Sequence, residues 1–236
     1  MFCPFCQQSA GSFLPFGHAH AILTDLRVIG GGYRLNARCP HCGSLDRERA
    51  VYLYLKARGV FSNPLLRVLH VAPEGQLGRV LRRAASTSYF AVDLRPRPGA
   101  VIMDVTSLEF PSATFDLIVC NHVLEHVLED QVAMKELYRV LKPGGWAILQ
   151  VPIGSALTQT KEHPITPSPE ECERLYGQAD HVRLYGRDYP HRLEHAGFTV
   201  EVVNLEKTLG LSVVIDHSLI AGEELFVACR PVLDRT

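Results

Sequence analysis

Alternating apolar runs and helical patterns from residue 65 onward are the feature that most restricts how this chain can fold. The run FDLIVCN, residues 115–121, is apolar almost throughout, which is typical of a strand buried on both faces. A helical pattern over 122–141 follows it and ends at KPGG, where proline and glycine break a helix. Alternation of this kind predicts βαβ units and a mostly parallel sheet with helices on both faces.

The other predicted elements agree with this architecture. Strands are predicted over 65–72, 89–94, 100–105, 146–152, 198–203 and 224–230, and helices over 45–59, 75–85 and 188–196. Ser44 is the predicted N-cap of the first helix and Gly59 its stop. We therefore divide the chain into a small module at 1–45, a connecting helix and linker at 46–64, and an α/β domain at 65–236.

One long stretch, residues 152–188, breaks the alternation. It follows the carboxyl end of a strand, and loops at that edge of an open α/β sheet line the ligand crevice. We interpret it as a substrate-side insertion.

Composition excludes several classes of protein. Hydrophobic residues make up 47% of the chain and charged residues 21%, as in ordinary folded proteins. No apolar window approaches a membrane-spanning length, and the N-terminus lacks the regions of a secretory signal, so we expect a cytoplasmic protein with no membrane partner. Residues 1–67 carry eight Lys/Arg against three Asp/Glu, a charge of +5, and the remainder carries −6. The basic part is either a solvated surface or a contact for nucleic acid.

Four of the seven cysteines form two Cys-x-x-Cys pairs, Cys3 with Cys6 and Cys39 with Cys42. Four thiolates are a tetrahedral set that structural Zn²⁺ prefers, and such a site leaves no open position for catalysis. A segment this small lacks the apolar mass for its own core, so the metal would supply folding energy. The alternative is a thiol–disulfide site, but a redox pair follows a strand, and here only two residues precede Cys3.

A nucleoside cofactor is indicated by the strand, turn and helix over 68–81, VLHVAPEGQLGRVL. Asp93 ends the next strand, 19 residues after Glu74, where a carboxylate can accept hydrogen bonds from ribose hydroxyls. The turn has a single glycine, Gly75, rather than the G-x-G-x-x-G that lets backbone approach a pyrophosphate. A cofactor without phosphates, S-adenosylmethionine, is therefore favoured over a dinucleotide.

With these residues the chain resembles the class I S-adenosylmethionine-dependent methyltransferases over about residues 65–230. The most specific part is FDLIVCNHVLEHVLEDQVAMKELYRVLKPGGWAILQVP, which is similar to the signature of the small-molecule and lipid methyltransferase subgroup. AVDL resembles the acidic ribose-binding motif, and MDVTSLEF the motif near the adenine. The resemblance implies a doubly wound, mostly parallel seven-stranded sheet of Rossmann-like type with a reversed hairpin at its end.

The resemblance also implies which residues meet the cofactor. Asp93 would hold the ribose, Asp104 and Val105 would flank the adenine, and the backbone around Asn121 and His122 would meet the methionine end. The first loop departs from the family pattern, since His70 replaces an acid, Ala72 and Glu74 replace glycines, and the glycine falls one place later. The full predicted cofactor set is His70, Ala72, Glu74, Gly75, Asp93, Leu94, Asp104, Val105, Asn121 and His122.

Candidate catalytic and substrate residues lie at the sheet edge and in the insertion. Methyl transfer needs an acceptor freed of its proton, and His122 is a candidate base. His181 and Tyr185 are further catalytic candidates, with His163 and Arg183 as possible substrate contacts; alternatively, His181 and Tyr185 anchor the long loop.

HVLEH, residues 122–126, also matches the H-x-x-E-H zinc-protease pattern, which needs two histidines on one helix face. The apolar stripe of the predicted helix already explains this segment, and no third ligand is evident downstream.

The sequence therefore predicts an enzyme that transfers a methyl group from S-adenosylmethionine to a small molecule or glycan-type metabolite. Two alternatives remain open. One is an RNA methyltransferase that uses the zinc module to contact RNA. Some RNA methyltransferases resemble this arrangement of a zinc module before the catalytic domain, and the basic N-terminal segment adds weak support. The other is a non-catalytic binding module, for which the glycine-poor first loop is the best argument.

Overall fold

The N-terminal segment forms a small hairpin beside one long helix. The structure is a computed structural model that describes residues 1–63, 65–85, 88–165 and 167–232. The segment contains β1 (Leu14–Phe16), α1 (Ala21–Asp25), β2 (Val28–Ile29), β3 (Arg34–Arg38) and α2 (Asp46–Ala57). β1 and β3 pair antiparallel. Few hydrophobic side chains of residues 1–45 are buried, namely Cys3, Phe13, Leu23, Ala37 and Cys39.

A seven-stranded sheet forms the centre of the α/β domain. Its elements in chain order are β4 (Val68–Val71), α3 (Gly75–Ala85), β5 (Tyr89–Asp93), β6 (Val101–Ile102), β7 (Phe115–Asn121), α4 (Asp130–Val140) and β8 (Leu141–Gln150). The spatial order is β6-β5-β4-β7-β8 followed by two strands from the end of the chain. The first five strands are parallel. The strand order reverses between β4 and β7, and such a switch point is where open α/β sheets bind ligands.

The remaining elements complete the sheet and cover one end of it. They are β9 (Ile153–Gly154), β10 (Lys161–Glu162), α5 (Pro169–Tyr176), β11 (Arg183–Leu184), α6 (Tyr189–His195), β12 (Thr199–Asn204), α7 (Leu205–Leu209), α8 (Leu211–Asp216) and β13 (Glu224–Cys229). β13 lies antiparallel between β8 and β12, which is the reversed hairpin that the resemblance implies. The predicted α/β fold with a seven-stranded, mostly parallel sheet is confirmed.

Two hydrophobic layers hold the helices on the sheet. One face packs against α4 and α6 through residues such as Met134, Leu137 and Leu193. The other face packs against α2, α3 and α8, where Val51, Leu77 and other buried side chains meet the strands. Because α2 shares this layer, it is packed on the sheet and does not stand apart as a free connector. In the part of the chain that the structure describes, no helix combines the length and apolar character needed to cross a bilayer.

The insertion packs on the N-terminal segment. β2 pairs antiparallel with β9, and a cluster of Cys172, Tyr176 and Leu184 packs against Leu26 and Val28. The insertion and the N-terminal segment together therefore lie over the carboxyl ends of the central strands.

Two predictions about helix starts were wrong. The helix predicted over 122–141 begins only at Asp130, after a single 3₁₀ turn over Leu124–His126. Buried Arg183 donates hydrogen bonds to the carbonyl oxygens of Leu124, Val127 and Leu128, and these bonds replace those of a continuous helix. Ser44 is not the N-cap of α2, because Leu45 occupies that position and the hydroxyl of Ser44 lies among the cysteine sulfurs.

Candidate functional site

The switch point is marked by two residues in a strained backbone conformation. Ala72 follows β4 with φ 48°, and His122 follows β7 with φ 52°. Non-glycine residues in the left-handed region cost about 1 kcal/mol or more, so this conformation persists only where its surroundings impose it. The N–H of Ala72 donates to Val92 and that of His122 to Gln150, which ties each turn to a neighbouring strand. His122 is in the lining of three cavities.

A buried charge network forms the methionine side of the predicted cofactor site. Glu74, in the turn before α3, pairs with Arg47 of α2 at 2.7 Å from Nε to Oε1. Asn121 Nδ2 donates to Glu74 Oε2 at 2.8 Å, while Asn121 Oδ1 is buried without a partner among the described residues. Burial acts to raise the pKa of Glu74, but Arg47 and Asn121 outweigh it and the pKa is lowered. The carboxylate that replaces a family glycine is therefore ionised and compensated.

The N-terminus of α3 is occupied by a carboxylate from α2. Glu48 Oε2 accepts hydrogen bonds from the N–H groups of Gln76 and Leu77, at 2.8 and 3.1 Å. The side-chain amide of Gln76 donates to the carbonyl oxygen of Cys42 at 2.8 Å. A dinucleotide places its pyrophosphate on such helix N–H groups. Because Glu48 already holds them, this turn suits a cofactor without phosphates.

The residues predicted to hold the adenosine lie at a cleft of about 390 Å³ between the ends of β4, β5 and β7. This volume lies within the range of small-molecule sites, about 300–1,000 Å³. Asp93 lies in this cleft, and its Oδ1 accepts a hydrogen bond from the N–H of Arg95. Its Oδ2 lies 2.5 Å from Arg97 Nε. The two groups form an ion pair, but their geometry is not that of a hydrogen bond. Asp104 Oδ1 is held by the N–H and hydroxyl of Thr106. The cleft therefore offers carboxylates at the predicted ribose and adenine positions.

Most of the predicted cofactor residues come together, and one does not. Nine of the ten predicted residues line one or both of two neighbouring clefts: Ala72, Glu74, Gly75, Asp93, Leu94, Asp104, Val105, Asn121 and His122. His70 lies fully buried within β4, where its Nδ1 is 3.0 Å from the hydroxyl of Tyr89. Burial lowers the pKa of His70 to about 4, so it is neutral at physiological pH. His70 therefore lies inside the sheet, close to the turn that follows β4, and does not line the clefts.

A cavity of about 260 Å³ adjoins the cofactor clefts on the insertion side. It is lined by His122, Glu125, His126 and His181 together with residues of the N-terminal segment. His122 Nδ1 lies 3.4 Å from Glu125 Oε1, and the rings of His126 and His181 are 4.7 Å apart. The sequence did not indicate that His181 would contact the 3₁₀ turn over Leu124–His126, called the LEH turn below, because 55 positions separate His181 from His126.

Protonation in this cavity follows from burial and from the neighbouring histidines. Burial acts to raise the pKa of Glu125, but the hydrogen bond with His122 and the nearby His126 and His181 outweigh it and lower the pKa to about 2. Burial lowers the pKa of His181 to about 4 despite the attraction of Glu125. At neutral pH the cavity therefore holds a carboxylate beside a neutral imidazole.

The other candidates from the insertion have different surroundings. Tyr185 is fully buried, and its hydroxyl donates to Asp130 Oδ2 at 2.7 Å. Arg183 is buried against the LEH turn and pairs with Glu162 at 2.9 Å. His163 lies at the surface, where Nδ1 is 2.7 Å from the carbonyl oxygen of Ile165. None of the three lines the described cavities at the switch point, and for Tyr185 this favours the anchoring alternative.

The four paired cysteines converge in the N-terminal module. All four sulfur atoms lie within 4.8 Å of one another, with 3.5 Å between Cys3 and Cys42 and 3.8 Å between Cys6 and Cys39. Tetrahedral zinc with bonds of about 2.3 Å places its sulfur ligands about 3.8 Å apart, so the cluster fits this ion. All seven cysteines have free thiols.

Comparison with known proteins identifies a family for the centre of the chain. Residues 68–149 match the family described as a methyltransferase domain. The arsenite methyltransferase of Aquipseudomonas alcaligenes is 31% identical over 98 residues, which are 42% of this chain and 26% of that protein. Phosphoethanolamine N-methyltransferase 3 of Arabidopsis thaliana is 30% identical over 127 residues, 52% of this chain and 23% of that protein. The resemblance to class I S-adenosylmethionine-dependent methyltransferases is confirmed, although the chain spans only about a quarter of these relatives.

Solved structures support the same fold. The cyclase SpnF superposes with a TM-score of 0.53 at 17% identity, over 89% of this chain and 92% of that chain. The CurJ carbon methyltransferase gives a TM-score of 0.50 at 14% identity, over 77% of this chain and 54% of that chain. At these identities the likeness concerns the fold alone.

Proposed function

We propose that this protein transfers a methyl group from S-adenosylmethionine to a small acceptor molecule. The observation that carries the proposal is the chemistry at the switch point. Asp93 offers a carboxylate to a ribose, Arg47 and Glu74 offer opposite charges to an amino acid, and Glu48 occupies the helix N–H groups that a phosphate would need. This combination suits a nucleoside joined to an amino acid better than a dinucleotide.

The methionine end of the cofactor is a zwitterion, and the network around Glu74 has complementary groups for both charges. Within the described residues, the side chain of Arg47 donates a hydrogen bond only through Nε, so its terminal nitrogens remain for a carboxylate. Asn121 Oδ1 is a buried acceptor without a partner in the same part of the chain, and it suits an ammonium group. Charge-assisted hydrogen bonds of this kind are stronger than neutral ones.

We propose Zn²⁺ as the structural ion of the four-cysteine cluster, with Cys3, Cys6, Cys39 and Cys42 as ligands. The spacing of the sulfur atoms and the small number of buried apolar side chains in the module support this assignment. The module also forms a wall of the cofactor cleft, to which Arg38, Cys42 and Gly43 contribute. Folding of the metal site would therefore shape the cofactor site.

The acceptor would occupy the cavity between His122 and the insertion. S-adenosylmethionine, when bound, would supply an electrophilic methyl group for in-line transfer to a nucleophilic atom of the acceptor, with S-adenosylhomocysteine as the leaving group. His122 lies where the cofactor clefts and this cavity join, and we propose it and His181 as the residues that contact and orient the acceptor. A cavity of about 260 Å³ favours a small acceptor.

The distribution of basic residues gives little support to an RNA substrate. Several arginines of the basic N-terminal segment are engaged inside the molecule: Arg34 pairs with Asp46, Arg47 with Glu74, and buried Arg49 donates to backbone carbonyls. Three of the eight basic residues in 1–67 therefore do not contribute to a free basic surface, which leaves the five exposed ones. If RNA were the acceptor, binding would weaken steeply with added salt.

The first test is calorimetric titration of zinc-loaded protein with S-adenosylhomocysteine, with NADH as the control ligand. We expect micromolar binding of S-adenosylhomocysteine alone. Asp93→Asn removes a charged acceptor for the ribose and should weaken binding about 10-fold or more, because a hydrogen bond to a charged group contributes about 1.5–3 kcal/mol.

Asp25→Asn is the matched control, since Asp25 is exposed on α1 and is not in the lining of the two clefts, and it should bind as the wild type does. Folded protein that binds neither ligand would contradict the proposal and favour the non-catalytic alternative. Equal affinity of Asp93→Asn and wild type would remove the ribose assignment.

A further inference from the structure

We propose that Glu125, His126 and His181 form a second metal site, which binds a divalent transition-metal ion of the zinc class at the acceptor cavity. This site is separate from the four-cysteine cluster, and its existence does not depend on the proposed methyl transfer. The ligand set of two histidines and one carboxylate is the one that open, catalytic sites for Zn²⁺ or Fe²⁺ use.

The three side chains already stand at near-ligand spacing. Their candidate ligand atoms all lie within 4.8 Å of one another. Ligands around tetrahedral zinc stand about 3.3 Å apart at bond lengths of about 2.0–2.1 Å, so small side-chain rotations would close the site. Glu125 and His126 come from the 3₁₀ turn after β7, and His181 comes from the insertion.

Unpartnered polar atoms point to a missing ligand in this cavity. Glu125 Oε2, His181 Nδ1 and His122 Nε2 are buried and have no hydrogen-bond partner within the described residues. Buried polar atoms are rarely left unpaired, and three of them in one cavity need a common explanation. A cation bound by Glu125 Oε2 and His181 Nδ1 would satisfy two of them, while Oε1 stays with His122.

The surroundings hold the proposed ligands as metal sites require. His126 Nδ1 lies 3.0 Å from the carbonyl oxygen of Asp180, and donation to it leaves Nε2 as the metal-binding nitrogen. Metal-binding histidines commonly donate their other N–H to a carbonyl or carboxylate in this way. The N–H of Val182 donates to the carbonyl oxygen of Glu125 at 3.0 Å, which fixes His181 beside the turn.

Three protein ligands leave at least one coordination position free, and the cavity that they line is the space open to it. An oxygen of the acceptor, from a hydroxyl or a carboxylate, is the ligand class that such an ion would take. The ion would then hold the acceptor on the same side of the sheet edge as His122.

The test is titration of the protein with Zn²⁺ after the four-cysteine cluster has been loaded, followed by the same titration with Co²⁺. We expect a second ion per chain, and its cobalt spectrum should lack the sulfur charge-transfer band that the cysteine cluster produces. Uptake of no ion beyond the one in the cysteine cluster, or a Co²⁺ spectrum of the sulfur type alone, would overturn the proposal.

Single-residue variants distinguish the loss of a metal ligand from a loss of folding. Glu125→Gln and His126→Ala should each weaken the second ion by more than the roughly 10–100-fold that loss of a supporting group costs, and leave the cysteine-bound ion unchanged. His126 is partly exposed, so its variant should fold even if a His181 variant does not. His191→Ala is the matched control, because His191 and Glu194 form an exposed pair on α6. Unchanged binding in both ligand variants would also overturn the proposal.

Discussion

Arg47 of the helix that follows the cysteine module reaches into the cofactor turn and pairs with Glu74, with 2.7 Å between Nε and Oε1. The side chains are 24% and 10% exposed, so the pair is largely removed from water. Glu74 replaces a glycine of the family pattern, and in this structure its charge is balanced by a residue that lies outside the matched region. The unusual loop and the N-terminal segment therefore form one structural unit.

The Arg47–Glu74 pair should show strong energetic coupling. Arg47→Gln leaves a buried carboxylate without its partner, and we expect the free energy of unfolding to fall by about 2 kcal/mol or more. The double variant Arg47→Gln/Glu74→Gln should be less destabilised than the two single variants added together. Urea denaturation of the four proteins measures this, and additive effects would show that the two charges do not interact.

Loss of the zinc ion from the four-cysteine cluster should weaken ligand binding at the proposed cofactor site. Cys39→Ser removes one of the four ligands, and we expect loss of bound zinc by elemental analysis together with at least a 10-fold loss of S-adenosylhomocysteine affinity, on the order of 1.4 kcal/mol. The physical link is the hydrogen bond from Gln76 to Cys42 and the position of Arg47 and Glu48 in the next helix.

Cys229→Ser is the control for that experiment, because Cys229 lies in β13 on the last hairpin of the sheet. It should keep both zinc and affinity. If Cys39→Ser retains full zinc, the four-thiolate assignment is wrong; if it loses zinc but binds the ligand normally, the two sites are independent.

Gly75 should matter for the ligand and not for the fold. A Cβ added there would meet no atom within 4 Å, and a first-turn alanine is at least as favourable as glycine in a helix. We expect Gly75→Ala to keep or raise the melting temperature and to weaken S-adenosylhomocysteine about 10-fold, because the methyl group enters the cleft. Gly11→Ala, equally open, should change neither property. Unchanged ligand affinity would mean that the ligand does not approach this turn.

Glu223 should make stability fall as pH rises. Burial raises the pKa of this carboxyl to about 8, with a smaller contribution from Asp46, and both oxygens lack partners among the described residues. Below about pH 4.5 the Glu223 carboxyl is protonated in both the folded and the unfolded protein. Between about pH 4.5 and 8 it loses its proton in the unfolded protein and keeps it in the folded one, which favours unfolding.

Glu223→Gln removes this effect. We expect the variant to exceed wild type by a few kcal/mol at pH 8, since each pKa unit corresponds to about 1.4 kcal/mol, and to match it near pH 4.5. Urea denaturation at both pH values gives the comparison. A difference that does not depend on pH would show that the carboxyl titrates normally in the folded protein.

The sequence by itself determined the sheet and the position of the switch point. β7 spans Phe115–Asn121 and α3 spans Gly75–Ala85, with the bounds that hydrophobic periodicity predicted. These elements are encoded locally, because a buried strand must be apolar throughout and a helix on one face of a sheet must repeat its apolar residues every three or four positions.

Only the tertiary structure decided which side chains share the cleft. Arg47 contacts Glu74, which is 27 positions away, and Glu48 contacts Gln76, which is 28 positions away. His181, in the insertion, lies beside Glu125. The helix expected from residue 122 begins at Asp130 because Arg183, far along the chain, takes the carbonyl oxygens that would continue it. Long-range charges and hydrogen bonds follow no local period, so a single sequence does not indicate which of its polar residues will meet.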